Sequence, residues 1–167
     1  HLTFFQFCEE LLQRYRYDER VMAVSGDNFQ FGGQRTEYSY YFSRYPHCWG
    51  WATWARAWRY YDDQMRLWPK IQDGGWLADI LQADRAVNYW SGIFDRTHAE
   101  ETDSWAYAWT FSCWIQSGLT ILPNVNLVSN IGFGAEATHT QGSNPVSSLP
   151  THAVDFPLIH PPFLIRD

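Results

Sequence analysis

Lysine is almost absent from this chain: Lys70 stands alone, and every other fixed positive charge is an arginine. With 12 basic against 18 acidic side chains the formal net charge is −6, which leaves no basic face to offset phosphates and argues against nucleic-acid binding. Cysteine is scarce too. Cys8, Cys48 and Cys113 are odd in number and widely spaced, so they suggest neither a metal pattern nor a disulfide framework, and a reducing cytosol is the simplest compartment. No apolar run is long enough to span a bilayer, no signal peptide opens the chain, and no Asn-x-Ser/Thr acceptor occurs. A Gly-rich nucleotide loop between strand and helix, a serine nucleophile elbow and an internal repeat are all lacking.

Aromatic side chains fill the space these absences leave. They make up 19% of 167 residues, ten of them Trp, so aromatic packing must dominate the interior of what reads as one domain or a large piece of one. The densest stretch is His47–Trp58, HCWGWATWARAW. Trp51, Trp54 and Trp58 stand at i, i+3 and i+7, which predicts one face of a helix, with Trp49 just before it across Gly50. Such a face either anchors a core or forms an aromatic wall beside a sugar or nucleotide, and different indoles can do each.

Along the chain, Thr3 and Gln6 read as a capping box opening a helix that ends near Tyr17. Val21–Val24 reads as a buried strand closing on Ser25-Gly26-Asp27-Asn28. Ligands gather at the carboxyl ends of strands in α/β sheets, so Asp27 and Asn28 are site candidates by position; an Asx turn is the competing account. Tyr38–Tyr45 alternates weakly as a strand. Helices are expected over 76–81, 86–98 and about 104–117, the last capped by Gly118 in left-handed geometry. Leu119–Leu122 and Val125–Val128 read as two short strands around Pro123-Asn124, and the Pro-rich end resists regular structure.

Three acidic groups could carry chemistry. Glu9-Glu10 and Asp62-Asp63 fall on polar, solvated positions, whereas Glu100-Glu101-Thr102-Asp103 precedes Trp105 at a helix start. Carboxylates there complement the helix dipole, or one could serve as a general base beside a pocket. His139, in the loop from Gly132 to Thr140, has only Glu136 near it in sequence, which is no metal-ligand spacing.

Longer blocks carry more information. Val24-Ser-Gly-Asp-Asn-Phe29, the run from Tyr41 to Trp54, the run from Ile121 to Gly134, Thr138-His-Thr140 and His160-Pro-Pro-Phe163 resemble bacterial family-2-like, haemolytic-protein-like nucleotide-diphospho-sugar glycosyltransferases. The resemblance implies an α/β, GT-A fold, of which this chain is the acceptor-side half with short mixed strands and several helices. It divides the chain into an acceptor-side part, 1–145, and a Pro-rich tail, 146–167. It implies sugar transfer from a nucleotide diphosphate to an acceptor hydroxyl, aided by Mn²⁺ or Mg²⁺. Asp27, Asn28, Trp49, Gly50, Trp51, Trp105, Asn130, Gly132 and Gly134 would then line the substrates, and His139 would touch metal or diphosphate. Such enzymes carry a donor-binding half and an acidic metal motif ahead of this segment, so the chain alone is expected to be inactive. One departure concerns the base: Ala106 stands where the family pattern places an acid after Trp105, leaving Asp103 as the expected catalytic carboxylate. The reading places the protein in the cytoplasm, free or peripheral at the inner membrane. The alternative is a carbohydrate-binding or scaffold module without turnover.

Overall fold

The computed structural model describes residues 1–132, 146 and 149–166. Its centre is a four-stranded mixed sheet in the order β2-β4-β1-β3. β1 (Val21–Ser25) and β4 (Leu119–Pro123) pair in parallel at the middle, flanked by antiparallel β2 (Tyr40–Ser43) and β3 (Trp51–Thr53). All five residues of β1 are buried, as befits a central strand covered on both faces, and its near-continuous apolar run is the sequence form of that position. The chain is thus α/β with short mixed strands.

One face of the sheet carries α1 (Thr3–Arg14), which sets Phe7, Leu11 and Tyr15 against Val21, Val24, Phe42 and Ile121. The C-terminal segment lies over the same core, burying Val154 and Leu158. A polar chain fastens it: the Tyr15 and Tyr40 hydroxyls lie 2.7 Å apart, Tyr40 reaches His160 Nδ1 at 2.9 Å, and His160 Nε2 stands 3.3 Å from Glu10. The predicted capping box is not formed. Helix α1 is entered from Leu2 without a side-chain cap; the Thr3 hydroxyl instead meets His1 Nδ1 and accepts the Val154 N–H.

The other face carries α2 (Ala55–Trp58) and α6 (Trp105–Ile115), with α3 (Trp68–Asp73), α4 (Trp76–Leu81) and α5 (Asp84–His98) packed beyond α6. Helix α6 is buried on every side from Ala108 to Trp114. Trp109 and Cys113 face Met22 and Ala23 of the sheet, while Ala108, Phe111 and Trp114 meet Phe94, Trp68 and Met65. A helix that is apolar all round belongs between two layers, and α6 joins them.

The predicted Trp helix is corrected. Trp51–Thr53 is a strand, because its backbone completes the open edge of β1, pairing Ser25 with Trp51 and Ala23 with Thr53. Helix begins only at Ala55, so Trp54 turns away from its neighbours and donates its indole N–H to Leu12 O at 2.9 Å. Two further expectations fail locally. Val125–Val128 is no strand, although the Leu127 N–H reaches Gly26 O. The left-handed residue ending α6 is Ser117, at φ 53°; Gly118 is required for space, since a Cβ there would run into Met22.

Candidate functional site

At the carboxyl end of β1 the chain leaves the sheet through Gly26 and places Asp27 out of solvent altogether. Its Oδ1 lies 2.6 Å from His47 Nδ1, and its Oδ2 is buried without a partner among the described residues. A carboxylate only accepts, so the imidazole proton on this bond belongs to Nδ1. His47 is about one-quarter exposed, stacks on Phe29 (centroids 5.0 Å apart, 22° between planes), and makes no further bond through Nε2 among the described residues. Phe29 in turn meets Trp49 edge-on at 5.1 Å. The Ser25 hydroxyl donates to His47 O, and the Gly26 N–H to Gly50 O, stitching 47–50 to the strand end. Cys48 is exposed as a residue, yet desolvation of its sulfur pushes the thiol pKa up, and the negative charge of Asp27 adds to the rise.

Asn28 takes the competing role foreseen for it. Its Oδ1 accepts the Gln30 N–H in an Asx turn, its Nδ2 donates to Pro123 O, and its own N–H donates to Asn126 Oδ1. Asn124 and Asn126 are occupied in the same way, tying Arg35, Thr36 and Pro150 to the strand end. These amides border a cleft of about 360 Å³ completed by Phe31, Gln34 and His152. Gly50 has a plain structural duty: it sits at φ 55°, and a Cβ there would stand 2.6 Å from Val128 Cγ1.

The indoles gather a short way along the same strands. Trp51 stacks on Trp105, centroids 4.9 Å apart and planes 28° from parallel. Trp58 lies 5.7 Å from Trp51 and stacks flat against Tyr61 at 4.4 Å. Beneath them Trp109 is 2% exposed, with its Nε1 unpartnered among the described residues, while Trp105 and Trp58 keep 42% and 38% of their surfaces in solvent. The spacing that suggested a single helical face therefore brings Trp51 and Trp58 together by another route, and Trp105 and Trp109 come from α6. Asp103 is exposed at the edge of this surface, two residues before Trp105, and nothing among the described residues orients it. Ser104 is the N-cap and no carboxylate lies in the first turn, so the acidic run from Glu100 does not cap α6.

Of the predicted site residues, Asp27, Asn28, Trp49 and Gly50 meet at one strand end, and Trp51 meets Trp105 beside Asp103. Asn130 and Gly132 form an exposed Asx turn of their own, with the Gly132 N–H donating to Asn130 Oδ1 at 2.8 Å. Gly134 and His139 lie outside the described residues. Among the described residues no three His, Cys, Asp or Glu side chains come together to hold a cation. The Mn²⁺ or Mg²⁺ that the resemblance implies would meet this chain at His139, which is not among them. No described helix is long and apolar enough to cross a membrane. The residue that sequence reasoning missed is His47; the one available signal was that a carboxylate closing a buried strand must find a partner. Comparison of the chain with models of known families, with curated proteins and with solved structures gives no match.

Proposed function

We propose that this chain contributes the acceptor-side surface of a nucleotide-sugar-dependent glycosyltransferase. The observation that carries the reading is the half-exposed stack of Trp51, Trp58 and Trp105 beside a polar strand end. A pyranose presents apolar C–H faces and a rim of hydroxyls, and flat indoles flanked by carboxylate and imidazole groups complement both. Nucleotide-diphosphate donors enter through the sequence resemblance of the blocks around Gly26, Trp51 and Asn126. In the reaction the acceptor oxygen attacks the anomeric carbon, the bond to the diphosphate breaks, and the hydroxyl proton passes to a base.

The test is consumption of UDP- and GDP-linked hexoses by the purified full-length protein that carries this chain together with its donor-binding half, with and without chelator, in wild type and Trp105→Ala. Turnover that falls at least tenfold in the variant, with folding unchanged, supports the reading. A wild type that consumes no donor overturns it. A second reading, a carbohydrate-binding module, is favoured by Ala106 in the place of the family's acid. Oligosaccharide binding by calorimetry, lost in Trp105→Ala and unaccompanied by turnover, would establish it instead.

A further inference from the structure

Two groups could take the acceptor's proton, Asp103 just before Trp105 and His47 beside the end of β1, and they differ in how they are held. Asp103 is exposed, and no hydrogen bond or ion pair among the described residues fixes its carboxylate. His47 is fixed at three points. Nδ1 is bonded to a carboxylate 1% exposed, its ring lies flat on Phe29, and its carbonyl receives the Ser25 hydroxyl. In the neutral imidazole with its proton on Nδ1, Nε2 holds the lone pair, and Nε2 has no partner among the described residues. Among the described residues the imidazole is the only side chain that hydrogen-bonds the Asp27 carboxylate, whose Oδ2 is buried without a partner there. A buried carboxylate behind a histidine fixes the tautomer and stabilises the imidazolium that forms when Nε2 takes a proton.

We propose that His47 is the general base for the acceptor hydroxyl and that Asp27 is its positioning residue, the pair serving where Ala106 cannot. The inference rests on the glycosyl-transfer reading. In the step, the acceptor O–H proton moves to His47 Nε2 as the oxygen bonds to the anomeric carbon. The electron pair of the broken C–O bond leaves on the nucleoside diphosphate, and the imidazolium faces the Asp27 carboxylate. Cys48 is a titratable neighbour of the pair, and its raised pKa keeps it a neutral thiol during the step.

The experiment pairs kinetics with proton NMR on the protein carrying this chain, using UDP-glucose, UDP-N-acetylglucosamine and GDP-mannose as donors. His47→Gln should lower kcat about 10²-fold or more with KM little changed, within the range general bases contribute. Asp27→Asn should lower kcat as well, because the ring loses the carboxylate that fixes its tautomer. Wild type should show a downfield Nδ1 proton that Asp27→Asn abolishes, a signal that requires no substrate. Donor turnover that survives His47→Gln with an unchanged pH profile overturns the inference while glycosyl transfer stands. Loss of turnover in Asp103→Asn with His47→Gln unaffected assigns the base to Asp103 and overturns it too. A wild type inactive with every donor overturns both readings. The absence of the downfield proton in wild type removes the geometry on which His47 depends.

Discussion

Gly50 is the residue at which backbone angle and space coincide. Its φ of 55° is left-handed and its missing Cβ leaves room for Val128, so Gly50→Ala must strain the turn and push Val128 aside. We expect a loss of about 1–3 kcal/mol in urea unfolding, the cost of such local strain, with the Trp51 strand loosened first. A stability equal to wild type would show that the turn rearranges freely. The three cysteines differ in a way that chemistry can read. Burial lifts Cys8 to about 12 and Cys113 further, and both side chains are shut from solvent, whereas Cys48 is exposed. A disulfide reagent at pH 8 should therefore label one thiol in the folded protein and three in urea. Asp27→Asn should hasten the folded-state reaction, because the charge that holds the Cys48 thiolate back is gone. More than one labelled thiol in the folded protein would contradict this assignment.

Among the elements, α6 separates packing from recognition within one helix. Trp109→Ala removes a side chain 2% exposed between sheet and helices, and should cost about 3–5 kcal/mol. Trp105→Ala removes one that keeps 42% of its surface in solvent, and should cost less, about 1–2 kcal/mol, while abolishing the saccharide binding proposed above. Chemical denaturation and calorimetry on the two variants check both halves, and equal stability losses would refute the division. The contrast also explains what could be read from sequence. Helices α1 and α5 carry their apolar residues at helical spacing, and their existence follows from that period alone. The indoles of 51–58 carry the same period and are nevertheless split between strand and helix. Strand β3 forms because β1 has an open edge, and nothing local to Trp51 records that partner. Asp27 was legible as the end of a buried strand, but its meaning depends on a histidine twenty residues away. The stack of Trp51 on Trp105 spans more than fifty residues, beyond the reach of any local pattern.

For the molecule as a whole, the two faces of the sheet answer differently to acid. His160 fastens the C-terminal segment over α1, and burial, reinforced by Arg14, lowers its pKa below the ordinary 6.5 despite the opposing Glu10. The unfolded chain then takes up the proton first, so folding stability falls as pH drops through about 6.5 and levels off once the folded-state pKa is passed. Unfolding in urea at pH 7.5 and 5.5 should show a smaller difference for His160→Gln than for wild type. Equal differences in His160→Gln and wild type would mean that this histidine is not the acid-sensitive fastening. The order of the strands has a temporal consequence. Strand β4 separates β1 from β2, so while the chain is emerging from the ribosome those two strands have no edge in common. Until residues 119–123 arrive, β2 has no strand to pair with, and Tyr40 and Phe42 have, among the residues already made, the side chains of Phe7, Leu11 and Tyr15 to pack against. Strand β3 can join β1 as soon as both are made, whereas the backbone of β2 must wait for the last strand of the sheet.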